Sequence, residues 1–459
     1  MEYFEAFCAN FSNYAWGTPL LILLLGGGFF FTIYSRFLPF RYFKHAIDIL
    51  RGKYDDPDAE GDIDHYEALS GAIAATVGMG NISGVAVALV AGGPGAIFWM
   101  WISALLGMAT KFFTCTLSVM FRGHDSHGHA EGGPMYFIEE GLGKKWKPLA
   151  IFFALAGLFG VTPMFQANQL TEVLRTVVFV DIIPLDADMD VVNFIIGICI
   201  LVIVSIVIFG GIERIGKVAG KLVPVMVVIY VTAVLIMIGM NIEKLPAIIG
   251  DIFEGAFNLR SVGGGALGAV IMIGAKRAAF SNEAGIGTAP MMHGAAKTDE
   301  PVREGLVAMI GPFIDTIVVC TMTALAIMSS GVYDSHAEQV DGVLLTTEAF
   351  RAAFPTFGAA ILSICVLFFA LTTLFSFSYY GTKCLGYLIG ADKKHYFNYF
   401  YVIMIVVGSV IKLQAIINLI DGVYATMAVP TMVGALLLSP KVRKASLDYF
   451  ERMDKVIKN

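Results

Sequence analysis

Apolar residues in this chain come in long continuous runs. A hydrocarbon core about 30 Å thick takes about 20 such residues per helix. On that ruler the runs predict eleven spanning helices, at 18–35, 67–91, 96–121, 149–176, 193–212, 220–240, 263–291, 306–329, 358–382, 396–411 and 414–438. The strands of a membrane barrel would instead be alternating segments of about ten residues. The polar stretches between the runs carry basic residues unevenly. If the N-terminus lies outside, the inner segments hold 23 of the 31 Lys and Arg. The outer segments hold only Lys244, Arg260, Arg351 and Lys412, and Lys111, Arg175, Lys276 and Arg277 fall within spans. Cytoplasmic loops are enriched in Lys and Arg, so the expected topology is N-terminus outside and C-terminus cytoplasmic. One span more or fewer would invert every later loop.

Composition agrees with the pattern. The 459 residues are 57% hydrophobic and only 15% charged, against about 25% charged in soluble chains, so a water-facing surface cannot be covered. A formal net charge of -6 excludes nucleic acid as a partner, since that needs a basic surface. The six cysteines are scattered without a CxxC, which indicates neither a disulfide framework nor a zinc site. The opening MEYFEAFCANFSNYAW lacks the basic start of a signal peptide, so the first run is expected to remain as a span.

Five domains follow. Residues 1–66 form an extra N-terminal helix and a cytoplasmic loop, and 67–240 a first set of five helices. Residues 241–262 are an extracellular connection, 263–438 a second set of five, and 439–459 a basic cytoplasmic tail expected to lie on the membrane surface. Because five is odd, the second set enters from the opposite side, and any similarity between the sets is an inverted repeat, a common transporter plan. The opening helix of each set is interrupted. TVGMGNISG (Thr76 to Gly84) and KRAAFSNEAGIGTAP (Lys276 to Pro290) place Gly, Asn, Ser and Glu mid-span. Glycine weakens a helix and bares backbone polar groups, which in lipid must find protein, water or ligand. Glycines alone would serve close helix packing, but that does not account for the polar residues beside them. Paired interruptions point to a binding site near the midplane.

At these residues the chain resembles the alanine or glycine:cation symporters, often called sodium:alanine symporters. The resemblance rests on GGPGAIFWMWISALLG (Gly92 to Gly107), GMGNISG, EGGPMYFIEEGLG (Glu131 to Gly143), MFQAN (Met164 to Asn168), FSNEAGIGTAP (Phe280 to Pro290), PVREGLVAMIGPFIDTIVVCTMTAL (Pro301 to Leu325) and TTLFSFSYYGTK (Thr372 to Lys383), in that order. It implies a fold similar to that of the bacterial leucine transporter with one added N-terminal helix. It also implies sodium-coupled uptake of a small neutral amino acid such as alanine or glycine by alternating access. Carried over residue by residue, the N-H groups of Met79 and Gly80 face the substrate carboxylate. The ammonium meets carbonyls around Thr76 and across the second break at Phe280 and Ser281. Gln166 adds a polar contact and Phe377 a wall. The shared sodium site uses the carbonyls of Ala74 and Val77 with the hydroxyls of Thr372 and Thr373, and Asn81 matches a ligand of a second sodium site. Where the family usually has Thr, Gly-Asn and Trp, this chain has Met79, Thr162-Pro163 and Phe377, which leaves room for a different substrate.

The fold expected is therefore all-α and polytopic, with one helix followed by a 5+5 inverted repeat carrying two broken helices, in a plasma (inner) membrane. Lys276, Arg277, Glu283, Lys111 and Asp315 are costly inside a membrane and are read first as structural pairing or gating charges. His124, His127 and His129 of GHDSHGH read as a solvated loop, with metal binding the lesser alternative. No nucleophile or metal motif suggests an enzyme. The expected partners are the lipid bilayer, a small amino acid and sodium as the co-transported cation, with no cofactor. A larger amino acid, proton coupling and, further off, a channel stay open.

Overall fold

The computed structural model describes residues 2–176, 188–257, 265–333, 342–411 and 414–458. The boundary at 263, Arg260 and Lys412 lie outside the described residues. Almost everything described is helical, apart from one small hairpin pairing Gly123–His124 with Ala130–Glu131. Among the described residues, eight helices are long and apolar enough to cross a membrane: Tyr3–Tyr34, Gly95–Met120, Lys144–Thr176, Met189–Ile208, Gly211–Met240, Pro301–Ser329, Gly358–Ile389 and Ile416–Met453. The pair His65–Thr76 and Met79–Gly92, bent by 44° at its break, brings the number to nine if it forms one span. The two remaining runs of the eleven fall on Gly265–Asn282, which carries Lys276 and Arg277, and on Tyr396–Val410, which has 15 residues. Large apolar side chains such as Phe29, Ile206, Val228, Leu235 and Ile403 stand exposed on the outer faces of the bundle, a surface that lipid covers.

Several elements depart from the expectation. A helix Glu2–Ala15 precedes the first apolar run. The connection after residue 240 holds a helix, Leu245–Phe257, and a further helix, Gly342–Ala353, precedes the Gly358–Ile389 span. The expected 149–176 span is interrupted: Lys147–Gly160 ends, Thr162 and Pro163 follow, and Met164–Val173 starts anew. Pro163 supplies the reason, because a proline disfavours helical conformation in the residue before it. Ala428–Lys458 is one helix through Pro440, so residues 439–459 do not begin a separate element.

The two breaks that matter are built by local chemistry. Asp64 opens the first half-helix with a capping box: Glu67 N–H donates to Asp64 Oδ1 at 2.6 Å and Asp64 N–H to Glu67 Oε2 at 3.4 Å. The half-helix stops after Thr76. Gly78 N–H turns aside to Asn81 Oδ1 at 2.8 Å, and Met79–Gly92 begins. In the second break the helix persists through Lys276 and Arg277 to Asn282, so the charges do not end it. The chain leaves helical geometry at Glu283 (φ 56), Gly285 (φ 90) and Gly287 (φ 110). A Cβ on Gly287 would also lie 2.3 Å from Thr431 Oγ1, so only glycine fits there. Thr288–His293 then resumes the helix.

Candidate functional site

A cavity of about 310 Å³ lies against the first break and the helix leading into the second. Thr76, Met79, Gly80, Gln166, Phe280 and Phe377 all line it, as do Gly78 and Thr373. Of the residues expected to bind substrate, only Ser281 is absent from its wall. Ser281 is 1% exposed and donates to Asp315 Oδ2 at 2.8 Å, so its hydroxyl is already engaged. Phe280 packs on Gly80, where a Cβ would sit 3.4 Å from its ring. Edge-on contacts from Trp16 and Phe165, each with centroids 6.2 Å away, fix that ring. Phe377 stacks on Tyr424 at 6.2 Å. The N–H groups of Met79 and Gly80 belong to the first turn of their half-helix, where no intrahelical acceptor exists and the helix dipole favours an anion.

The residues expected to bind sodium divide. Thr373 donates to Ala74 O at 3.2 Å and to Phe369 O at 2.9 Å. A Cβ on Gly78 would approach Thr373 Oγ1 to 2.6 Å. Ala74, Gly78 and Thr373 are therefore in contact, with Val77 buried between them along the chain. Thr372 is placed differently. Its hydroxyl serves Phe368 O at 2.9 Å and Phe369 O at 3.1 Å and meets Met226 Sδ at 3.7 Å, which directs it at the Gly211–Met240 helix. Asn81 lies at the break with both ends of its amide hydrogen-bonded. Oδ1 accepts from Gly78, and Nδ2 donates to Asp315 Oδ1 at 2.7 Å and Asp315 O at 3.2 Å.

Asp315 is the main residue that sequence reasoning left without a site role. It is fully buried in Phe313–Cys320, a π-helical stretch of a kind often found at functional sites. Besides Asn81 and Ser281 it accepts from Thr316 Oγ1 at 2.8 Å, and it interacts electrostatically with the buried Lys111. The signal available was its charge inside an apolar run. Asp421 was missed as well. It lines the cavity and accepts from Ser12 Oγ at 2.7 Å, so the N-terminal helix closes one side. Lys276 also faces the cavity, its Nζ 5.9 Å from the ring centre of Trp16. The histidines of the hairpin stay solvent-exposed and meet carboxylates, His124 with Glu60 at 3.1 Å and His127 with Asp392 at 2.8 Å.

Chemically, the site offers a helix N-terminus for an anion, a pocket walled by aromatic rings, and a carbonyl with a hydroxyl for a small cation.

The chain is similar to known proteins. The sequence profile described as the sodium:alanine symporter family matches residues 1–459. The chain is 41% identical over 434 residues to "Sodium/alanine symporter AgcS" of Methanococcus maripaludis, covering 93% of each. It is 36% identical over 438 residues to "Probable sodium/glutamine symporter GlnT" of Bacillus subtilis, covering 95% of this chain and 88% of the relative. Among solved structures, MhsT in complex with L-phenylalanine superposes with a TM-score of 0.59 at 14% identity, covering 83% of this chain and 89% of that one.

Proposed function

The chain belongs to the sodium:alanine symporter family, as a multi-pass membrane protein and amino-acid:cation symporter rather than an enzyme, and from that premise we propose sodium-coupled uptake of a small neutral amino acid such as alanine or glycine. The observation that carries this reading is the meeting of Ala74 O, Gly78 and Thr373 Oγ1 at the same break whose Met79 and Gly80 N–H groups border the cavity. A cation at Ala74, Val77 and Thr373 and a carboxylate at Met79 and Gly80 would share one broken helix. Each ligand then lowers the ordering cost of the other, which is the thermodynamic content of coupling.

In this reading the ammonium lies near the Thr76 and Phe280 backbone, with Gln166 and Phe377 at the side-chain end. Thr372 contributes through its place in the helix rather than through its hydroxyl, and Asn81 shapes the break while its Oδ1, which accepts from Gly78 N–H, keeps a lone pair for a second cation. The five sequence domains, eleven spans, the 5+5 inverted repeat and an outside N-terminus in a plasma membrane complete the proposal. Their support is the positive-inside bias and the two interrupted helices.

A second reading, a larger amino acid, is favoured by the cavity volume of about 310 Å³, which leaves room beyond an alanine, and by Phe377 where the family usually has Trp. A competition panel against labelled alanine uptake separates the two. Alanine and glycine competing best supports the first reading; a larger amino acid displacing both at lower concentration supports the second.

A further inference from the structure

The two broken helices are joined a second time, away from the cavity. His65 is the first residue of the His65–Thr76 half-helix, and His293 is the last of Thr288–His293. Both turn Nδ1 to one carboxylate, His65 to Glu304 Oε2 and His293 to Glu304 Oε1. Glu304 and His293 have no exposed surface and His65 is 1% exposed. Both Nε2 atoms are buried with no partner among the described residues, so the imidazoles are held for the contact they make through Nδ1. Glu304 lies near the start of the same Pro301–Ser329 segment whose Asp315 binds Asn81 and Ser281. One segment thus holds both broken helices at two levels, at their breaks and at one end.

That end is sealed in this structure. Asp62 N–H donates to Ala295 O at 2.8 Å and Lys297 N–H to Ile63 O at 2.7 Å. Arg122 donates to the carbonyls of Gly294, Ala296, Thr298 and Glu60. The cavity lies on the other side of the breaks, where Ser12, Lys276 and Asp421 line it. A bond that exists only while one end is shut favours that closed state by its own free energy.

We propose that Glu304, with His65 and His293, is a positioning clasp that holds this end of the pathway shut while the cavity side is accessible, and that it must part for release on the opposite side. The proposal rests on the transporter reading only in treating the sealed end as one that opens.

The test is side-specific thiol labelling in proteoliposomes, with a membrane-impermeant maleimide and each position read by peptide mass spectrometry. Ser70→Cys, between His65 and the first break, reports the clasped end, and Ser83→Cys reports the cavity side. Adding Glu304→Ala removes both histidine contacts and should raise labelling at position 70 by about fivefold or more, the factor that corresponds to about 1 kcal/mol, and should lower labelling at position 83. His65→Asn, which keeps an N–H near the Nδ1 position, should restore the wild-type ratio where His65→Ala does not. A general loss of packing would raise both signals together. Parallel rises, or no change at either position, would overturn the clasp. Labelling needs no transported substrate, so a reciprocal shift in a protein that carries no amino acid would sink the proposed function and leave the clasp standing.

Discussion

Asn81 and Asp315 stand 234 positions apart in the chain and 2.7 Å apart in the fold, the amide Nδ2 donating to the carboxylate. Ser281 donates to the other carboxylate oxygen at 2.8 Å. The buried Asp315 side chain thereby links the first break to the residues just before the second.

This linkage separates charge from shape. Asp315→Asn keeps oxygen and amide near Asn81, Ser281 and Thr316, whose hydroxyls can rotate to accept, and it should fold with little change in melting temperature. Removing the negative charge should raise the sodium concentration for half-maximal uptake about tenfold, the factor set by about 1.4 kcal/mol. Asp315→Ala takes the carboxylate acceptor from the buried Ser281 and Thr316 hydroxyls, at about 1–3 kcal/mol for each donor left unsatisfied, leaves Asn81 only the backbone carbonyl of residue 315, and should melt well below the parent. An unchanged sodium requirement in Asp315→Asn would make the residue purely structural.

The neighbouring threonines make an internal control. Thr373→Ala removes the hydroxyl that touches Ala74 O and should raise the sodium requirement more than Gln166→Ala does. Thr372→Ala removes a hydroxyl engaged with its own helix and Met226, so its sodium requirement should stay near the parent's. Sodium titration of uptake for the three variants decides this; equal losses in all three would count against the assigned cation site.

Gly78→Ala should mimic Thr373→Ala, because its new methyl would sit 2.6 Å from Thr373 Oγ1. The double variant relieves that clash while the hydroxyl is already lost, so it should be no worse than either single change. Contacting residues are non-additive in this way. Fully additive losses in sodium titration would mean that Gly78 and Thr373 act separately.

The sequence made some of this legible and hid the rest for physical reasons. Thr76 to Gly84 announced the first break because glycines and Asn81 cluster within one span. The second break was located, but Lys276 and Arg277 looked disruptive and are not: they extend a helix whose geometry changes only at Glu283, Gly285 and Gly287. Thr372 and Thr373 are adjacent, and sequence could not say which hydroxyl turns toward Ala74, since neighbouring helical residues point about 100° apart. His65, His293 and Glu304 were invisible as a group. Each is a single polar residue, and only tertiary packing brings the first to the third across 239 positions. Asp421 and Ser12 likewise meet only because the N-terminal helix folds back on residues near the far end of the chain.

The central claim, sodium-coupled uptake of a small neutral amino acid, is tested most directly by labelled alanine uptake into proteoliposomes with and without an inward sodium gradient. The account predicts saturable accumulation above equilibrium that collapses when the gradient is removed. Non-saturable, sodium-independent flux that never exceeds equilibrium would contradict it.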